Sequence, residues 1–582
     1  MSTLKINEIR MRIKSATDKN SYWFCSISTA FRLVSFLVVL STALFMSCSN
    51  SVGPEYSELQ FTISFPQAST KSFHVEFRTG GFDLDTVIIK MPRWSPGYYQ
   101  IMDFADNLEN ITATDGKGES LPLISKNSNT WILGGVRNKE FVISYDIKTI
   151  RKFVGTSYVD TTHAYIIPAG ACIYIEGMID NPVTIDIRKG EKWTDIATGL
   201  EESKESPGSF YAKDFDILYD CPILIGNLEE LSPFIIDGVA HRFIGLNLGD
   251  FDRELFMEKL ESAIKAGTEL IGDIPYDEYT FIGIGSGMGG IEHLNNTTIS
   301  FNGSNLKTDD DYNRVLSFIS HEYFHNYNVK RIRPYNLGPF DYDAENRTYQ
   351  LWISEGLTVY YEYIMLKNAG LIGEKEFFNF LDGDISIVEN DSGRFYQSLA
   401  QASYNTWDEG PFGSGRDGID KSISVYNKGA VVGFLLDLKI RYASQNKNSL
   451  DDVMRLLYWK YYKALGRGFT AEEMQEACEM VAGISLSDFF EYVYTTKELD
   501  YKTYLDYAGL EINKEEVLSA RTGKKVDKFS IKRHDQIDAS QLEILNSWLG
   551  GMGISQPAGL AGISDLRSER RKAKGERQRG WD

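Results

Sequence analysis

The sequence predicts a multidomain α+β protein, in which an N-terminal antiparallel β-sandwich-like domain precedes a mixed domain with a helical second half. Three observations support this prediction. The chain has 582 residues, which is too long for one hydrophobic core when domains average roughly 150 residues. Apolar and polar residues alternate in several runs between residues 56 and 230. Beyond about residue 250, apolar residues recur with the period of a helix.

The first 48 residues are predicted to be a signal peptide and are left out of the fold. Basic residues precede an apolar run from Val34 to Met46, which is too short to span a bilayer comfortably. The run ends at Ser47-Cys48 in a pattern that resembles a bacterial lipobox, whose cysteine is acylated. The alternatives are an ordinary signal peptide and an uncleaved anchor. Residues 49–55 then form a tether, and we expect a bacterial cell-envelope lipoprotein of the outer membrane, held in the lipid bilayer by Cys48 and facing the periplasm or the surface.

The composition is that of an ordinary soluble globular protein. Charged residues make up 24% of the chain and hydrophobic ones 42%, which argues against a disordered or multi-spanning protein. The net charge is -20, and nucleic-acid binding requires a basic face instead. Nucleic acid is therefore excluded as a partner.

Three cysteines remain after Cys48, namely Cys172, Cys221 and Cys478. Their wide spacing fits neither CxxC nor a Cys/His metal motif. A disulfide between Cys172 and Cys221 and three buried thiols are both compatible with the sequence.

Residues 56–230 are predicted to form the N-terminal β domain. Period-two alternation is clearest in residues 59–65, 73–77 and 183–187, and glycine and proline turns separate these runs. The segment 92–99 is too rich in proline and aromatic residues for a strand. It is predicted to be a rigid loop whose Trp94, Tyr98 and Tyr99 serve packing.

Residues 231–512 are predicted to form the second domain. Apolar residues from Phe256 to Leu270 mark an amphipathic helix, followed by a strand at 279–284 and a glycine-rich turn at 285–290. Acidic residues 309–311 supply negative charge to the positive N-terminal end of the next helix. Further helices are predicted near 351–369, 423–443, 449–465 and 470–482.

The strongest functional pattern is the pentad His-Glu-Tyr-Phe-His at residues 321–325. An HExxH pentad on a helix places two imidazoles one turn apart with a carboxylate beside them, as in zinc hydrolases. A catalytic zinc takes three protein ligands and one water, so we expect one zinc ion per chain on His321, His325 and Glu355, which lies on the next helix. Glu322 is then the general base that takes a proton from the attacking water.

A tetrahedral intermediate also needs a hydrogen-bond donor for its oxyanion, and Tyr426 is the candidate. The chain contains 33 tyrosines, and most tyrosines simply pack with one polar tip in water. Spacing alone is therefore weak evidence that Tyr426 donates to the oxyanion.

Five motifs in order resemble the M61 family of gluzincin metallopeptidases, the glycyl aminopeptidase family. They are residues 321–334, residues 352–361, Gly289-Gly290-Ile291-Glu292-His293, Trp94-Ser95-Pro96-Gly97-Tyr98 and Tyr426-Asn427-Lys428-Gly429. The resemblance implies a thermolysin-like catalytic domain with zinc on His321, His325 and Glu355. It also strengthens Tyr426, because the Tyr-x-Lys-Gly element is shared with the related M1 aminopeptidases.

The segment from Gly289 to Glu292 occupies the place of the M1 exopeptidase motif. The resemblance implies that Glu292 pairs with the substrate α-ammonium while the backbone of Gly289 and Gly290 runs alongside the peptide; His293 is a weaker candidate for orienting substrate. A fixed anion there penalises an internal peptide. We predict a zinc aminopeptidase for peptides with a free N-terminus, for which the family implies N-terminal glycine or alanine. The alternatives are a zinc endopeptidase of the same fold and a non-enzymatic surface lipoprotein that binds peptide or glycan.

Residues 513–582 are predicted to be a partly disordered tail. Many M61 members continue into a PDZ domain, but neither its Gly-Leu-Gly-Phe loop nor a convincing series of strands follows residue 510. Residues 567–579 are dense in arginine and lysine, which favours disorder. The hypothesis is a lost or truncated PDZ, and a bound anionic partner is the alternative.

Overall fold

The N-terminal half is built from β-strands, as the alternation predicts. A computed structural model describes residues 58–550 except 67–70, 288, 411, 413–420 and 520–522, and the described residues lie in one compact unit. The strands of this half are β1 Leu59–Ser64, β2 Ser72–Gly80, β3 Thr86–Lys90, β4 Leu108–Asp115, β5 Leu123–Ser125, β6 Thr130–Gly134, β7 Glu140–Lys148, β8 Tyr158–Val159, β9 Ala164–Ile166, β10 Tyr174–Ile175, β11 Val183–Arg188, β12 Asp195–Thr198, β13 Glu201–Glu202, β14 Ser209–Ala212 and β15 Ile223–Gly226; a short helix, Phe215–Tyr219, lies among them. On β7 every second residue is buried, so this strand turns one face to the core.

The predicted antiparallel arrangement is wrong at the centre of the largest sheet. Its strand order is β13-β14-β11-β1-β2-β7-β4, and β1 pairs with β11 in parallel, from Leu59 opposite Val183 to Ser64 opposite Arg188. Parallel neighbours need a long connection, and here the chain between β1 and β11 forms most of the domain. Alternation fixes which face a strand buries, but it does not fix the direction of a distant partner.

The second domain begins with a mixed sheet. Its strands are β16 Glu229–Glu230, β17 Phe234–Ile236, β18 Val239–Gly245, β19 Glu278–Gly283, β20 Gly290–Glu292 and β21 Asn296–Ile299. The order is β16-β18-β19-β21-β20, with β17 on β18, so the predicted strand at 279–284 is confirmed as β19. Strand β20 runs antiparallel to β21 at the sheet edge.

Helices form the remainder of the second domain, and the predicted ones are present. They are Arg253–Ile271, Asp309–Phe324, Leu357–Asn368, Glu374–Asn390, Leu399–Glu409, Val425–Ala443, Leu450–Leu456, Ala471–Ala482, Ser487–Tyr494, Tyr501–Asp506 and Ala539–Leu549, with π-helical stretches at Trp352–Gly356 and Leu457–Ala464. Throughout the described ranges, every helix is too short or too polar to cross a membrane.

The mixed sheet lies between two hydrophobic cores, one formed with the helices and one with the N-terminal domain. Phe243 and Phe281 face the helices, whereas their neighbours Ile244 and Ile282 face the core of the N-terminal domain. Strand β20 joins the same arrangement, because Ile291 also belongs to the N-terminal core. The edge of the sheet formed by β20 therefore lies where residues of both domains can contact it.

The three cysteines of the described chain are free and buried. The disulfide between Cys172 and Cys221 does not form, and the alternative of buried thiols holds. Burial raises the pKa of each thiol, so they are packing residues rather than nucleophiles.

The prediction of a partly disordered tail is wrong for the part of it that the structure describes. Strand β22, Leu510–Leu518, crosses the boundary at 513 and forms a hairpin with β23, Lys525–Arg533. The following helix, Ala539–Leu549, buries Trp548 to 1% exposure, with its ring against Phe377 and Phe434. This segment extends the helical half and is not a separate domain. Frequent charges interrupt the apolar alternation of both strands, which hid them in the sequence; residues 567–579 lie outside the described residues.

Candidate active site

The pentad lies at the C-terminal end of the helix Asp309–Phe324, called here the pentad helix. Thr308 and Asp311 form a capping box at its start, and the predicted acidic first turn complements the helix dipole. The last turn brings His321 and His325 together, with 3.1 Å between their Nε2 atoms. Both imidazoles are buried.

Glu355 comes from the π-helical turn Trp352–Gly356, which leads into the helix Leu357–Asn368, called here the glutamate helix. A single π turn inside a helix often marks a functional position. Gly356 allows this turn to approach another helix, because a Cβ at Gly356 would lie 2.4 Å from the Cα of Gly429. Both glycines sit in predicted motifs, and their contact fixes the spacing between Glu355 and the helix of Tyr426.

The three predicted ligands form a cluster with the dimensions of a metal site. Glu355 Oε2 lies 3.7 Å from His321 Nε2 and 3.4 Å from His325 Nε2, and one donor atom from each residue lies within 4.8 Å of the others. Tetrahedral zinc with bonds of about 2.0–2.2 Å places its ligand atoms roughly 3.3–3.6 Å apart. Burial opposes ionisation of Glu355, but the adjacent histidines hold its pKa well below the usual range. Two imidazoles and one carboxylate therefore fit zinc.

Each histidine is oriented through its other nitrogen. His321 Nδ1 lies 2.9 Å from Glu362 Oε2, and His325 Nδ1 lies 2.7 Å from the carbonyl oxygen of Asn328. Such contacts fix the tautomer and leave Nε2 free to bind a metal ion. The sequence analysis missed Glu362, although it follows Glu355 by seven residues on the glutamate helix, which is a spacing that returns to the same face.

Asn328 also ties the pentad segment to the glutamate helix. Its side-chain amide donates to the carbonyl of Ile353 at 2.7 Å and to Thr358 Oγ1 at 3.0 Å. The two ligand-bearing segments are thus held together independently of the metal. No sequence pattern indicated this role, because it depends on a contact between distant segments.

Glu322 is buried near the end of the pentad helix and packs against strand β20. A Cβ at Gly290 would lie 2.7 Å from the Glu322 carboxyl carbon, so only glycine permits this approach. Burial raises the pKa of Glu322 to about 7, against the opposing effect of the two histidines. A carboxylate with such a pKa is matched to general base chemistry.

Tyr426 starts the helix Val425–Ala443 and reaches the metal cluster. Its ring stacks on His321 at 5.9 Å between centroids, with 25° between the planes. Phe412, which is 72% exposed, stacks on Tyr426 at 5.0 Å. Sequence reasoning missed Phe412, because a single aromatic residue in a glycine-rich segment carries no signal.

Glu292 ends the edge strand β20, whose preceding residue Gly289 has φ +93°. The Glu292 side chain is 5% exposed, and its Oε1 has no hydrogen-bond partner. Its charge contributes to the raised pKa values of Glu322 and His325, which places it beside the cluster. A buried carboxylate oxygen without a partner is costly. The position is suited to a cation.

His293 has a structural partner rather than an opening to substrate. Its Nδ1 lies 3.2 Å from Asp220 Oδ1, and Lys330 Nζ lies 2.7 Å from the same oxygen. All three side chains are buried. They form an ionic cluster that joins the N-terminal domain to the pentad segment.

Tyr99 belongs to the site as well, although the sequence analysis assigned it to packing. Burial raises its pKa well above the usual value, and the charges of Glu355 and Glu292 add to this rise. The predicted ligands, base, oxyanion donor and substrate-binding residues thus meet in one place. Cys48 lies outside the described residues.

Comparison with known proteins shows that the chain is similar to peptidases. Residues 60–227 match the model of the peptidase M61 N-terminal domain, and residues 314–432 match that of M61 glycyl aminopeptidase. The resemblance to the M61 family is thereby confirmed. No curated protein matched the chain.

The fold is similar to that of a solved structure. A protein of the aminopeptidase N family from Idiomarina loihiensis superposes with a TM-score of 0.75 at 26% identity, over 80% of this chain and 81% of that one. An M1 zinc metallopeptidase from Deinococcus radiodurans, in a complex with a Tyr-Ser-Ala substrate, gives a TM-score of 0.48 at 13% identity, over 76% and 95% of the two chains.

Proposed function

We propose that this chain, which carries the N-terminal and the glycyl aminopeptidase domains of the M61 family, is a zinc-dependent aminopeptidase with a thermolysin-like catalytic domain. It removes N-terminal residues, such as glycine or alanine, from peptides. The observation that carries the aminopeptidase assignment is the buried Glu292 carboxylate, whose Oε1 has no partner beside the catalytic groups.

Glu292 selects a substrate because its own carboxylate lacks a positively charged partner. The buried ammonium group of Lys330 is committed to Asp220, with 2.7 Å between Nζ and Oδ1. A free α-ammonium would supply the missing counter-charge and a charge-assisted hydrogen bond. An internal peptide bond brings no such charge and leaves Glu292 desolvated and unpaired. This difference favours exopeptidase over endopeptidase action.

Strand β20 can hold the substrate backbone. It lies at the edge of its sheet, and among the described strands it pairs with β21 alone. An extended peptide can add to such an edge through main-chain hydrogen bonds. Gly290 lies in this strand and contacts Glu322, so a peptide along β20 passes next to the general base.

The residues divide the chemistry among them. His321, His325 and Glu355 would hold zinc, which when bound lowers the pKa of water and polarises a carbonyl group. Glu322 removes a proton from the attacking water and delivers it to the departing amine. Tyr426 donates a hydrogen bond to the oxyanion that develops on the carbonyl oxygen.

Hydrolysis of a set of short peptides that differ only in the N-terminal residue tests this function. We expect release of the first residue, fastest for small residues, complete loss of activity after chelation, and recovery when zinc is restored. Cleavage inside the peptides would favour the endopeptidase alternative. Peptide binding without hydrolysis at any zinc concentration would favour the non-enzymatic binding protein.

We further propose that Cys48 anchors the protein to the cell envelope, a hypothesis supported by the lipobox-like pattern at Ser47-Cys48. Labelling of the full chain with radioactive palmitate in a bacterial host tests it. The wild type should incorporate label and Cys48→Ala should not. Equal labelling of both would contradict the anchor.

A further inference from the structure

We propose that the N-terminal domain positions Glu292 by holding the turn that follows strand β20, chiefly through Asp220. The inference rests on the proposed function, in which Glu292 binds the α-ammonium group of the substrate. It makes Asp220 a positioning residue that acts through Glu292 and determines how well the protein recognises a free N-terminus.

Asp220 binds this turn, residues 293–295, through both of its carboxylate oxygens. Its Oδ2 accepts a hydrogen bond from the backbone N–H of Leu294 at 2.6 Å, and its Oδ1 lies 3.2 Å from His293 Nδ1. Lys330 Nζ donates to the same Oδ1 at 2.7 Å. Asp220 is 7% exposed, and hydrogen bonds to an ionised group are among the strongest in proteins. The turn is therefore fixed directly after the end of β20.

Two further contacts hold the same turn. The side-chain amide of Asn295 donates to the carbonyl of Gly199, in the N-terminal domain, at 2.9 Å. Space at Gly199 is so limited that a Cβ there would lie 2.5 Å from Asn295 Oδ1. From the second domain, Arg331 donates through its guanidinium to the carbonyl of Leu294 at 2.9 Å. Both domains thus hold the turn in place.

Glu292 depends on this turn for its position. It is the last residue of β20, where it pairs with Thr297 of β21, so the turn begins at the next residue. Its own Oε1 has no hydrogen-bond partner that would anchor the side chain. Gly97, in the loop 94–99 of the N-terminal domain, packs against the other carboxylate oxygen, because a Cβ at Gly97 would lie 2.9 Å from Glu292 Oε2. The N-terminal domain therefore restricts both the backbone and the side chain of Glu292.

Asp220→Asn is the most informative variant, because it keeps the size of the side chain. A carboxylate offers two acceptor oxygens, whereas an amide offers one acceptor oxygen and an NH₂ donor group. The amide oxygen can face either the Leu294 N–H or the Lys330 ammonium group, and the amide nitrogen then opposes a donor at the other position. One of the two contacts is lost in either orientation.

The test measures kcat/KM of the zinc-loaded, full-length protein for one peptide with a free N-terminus. Residual hydrolysis of the acetylated form is measured at high enzyme concentration. Asp220→Asn should lower kcat/KM for the free peptide by about 10- to 100-fold, since a misplacement of roughly 1 Å can cost about 100-fold. Hydrolysis of the acetylated peptide and the zinc affinity should be unchanged. This pattern separates a displaced Glu292 from a general loss of structure.

Tyr342→Phe is the matched control. The Tyr342 hydroxyl donates to Asp216 Oδ1 at 2.6 Å, so it also joins the second domain to the short helix Phe215–Tyr219 that precedes Asp220, but its partner lies outside the turn. This variant should discriminate between the two peptides as the wild type does. Asn295→Ala is a milder change, because Asn295 is only partly buried, and it should lower kcat/KM for the free peptide alone by a smaller factor.

A double mutant shows whether Asp220 acts through Glu292. In a Glu292→Gln background, Asp220→Asn should cause no further loss with the free peptide, since the effects of residues that act together are not additive. Equal losses in both backgrounds would overturn the assignment. So would wild-type discrimination in Asp220→Asn or, if that variant does not fold, in Asn295→Ala. Equal hydrolysis of the free and acetylated peptides by the wild type would instead overturn the proposed function, and this inference with it.

Discussion

Replacing Glu322 with glutamine should lower peptide hydrolysis by about 100- to 10,000-fold, which is the usual contribution of a general base. Glutamine has nearly the same size, so the contact with Gly290 is retained, but its amide cannot accept a proton from water. The metal ligands are untouched. Zinc content and the zinc-dependent rise in melting temperature should therefore match those of the wild type.

Two results would contradict this role for Glu322. An unchanged rate in the purified, zinc-loaded variant would mean that another group activates the water. Loss of zinc together with activity would instead make Glu322 part of the metal shell. The measurement needs both the kinetic constants and the metal content of the same preparation.

Replacing Glu292 with glutamine should reduce discrimination between peptides with free and acetylated N-termini. Loss of one partner of a buried, hydrogen-bonded charge pair costs about 2–5 kcal/mol, so kcat/KM for the free peptide should fall by roughly 30-fold or more. The acetylated peptide has no ammonium to lose, and the neutral amide removes the unpaired charge that excluded it. Its kcat/KM should stay the same or rise.

The acetylated peptide serves as the matched control for the Glu292 variant. A fall of the same size for both peptides would indicate a general loss of structure around strand β20. No fall for either peptide would place the ammonium-binding site elsewhere.

The parts of the site that could be predicted from sequence are those encoded by short, local patterns. The pentad fixes two histidines on one helix turn. The glycines at 290, 356 and 429 mark close approaches, of the Glu322 side chain at Gly290 and of one backbone to another at Gly356 and Gly429. Glu355, Tyr426 and Glu292 each lie beside such a marker. Their motifs follow one another along the chain in the order found in one family, which is why the family could be identified.

The parts that could not be predicted depend on contacts between distant segments. Tyr99 lies close enough to feel the charges of Glu355 and Glu292 because the loop 94–99 packs on strand β20, and Asn328 acts through the carbonyl group of Ile353 on another helical segment. The parallel pairing of β1 and β11 has the same cause. Alternation and spacing describe one segment at a time, so they give no information on which segments meet.

The same limit explains why residues 513–550 were wrongly predicted to be a tail. Residue 513 lies inside β22, a strand with few buried residues that is stabilised by pairing with β23. The helix Ala539–Leu549 owes its position to Trp548, which fills a space between aromatic residues from two other helices. Neither feature is periodic enough to stand out in a sequence.

The most direct test of the account is a time course of products from one peptide of about six residues, incubated with the zinc-loaded wild type in free and N-acetylated form and analysed by mass spectrometry. We predict stepwise loss of single residues from the free N-terminus, no cleavage of the acetylated peptide, and no reaction with chelator present. Internal fragments that appear at equal rates from both peptides would contradict the account.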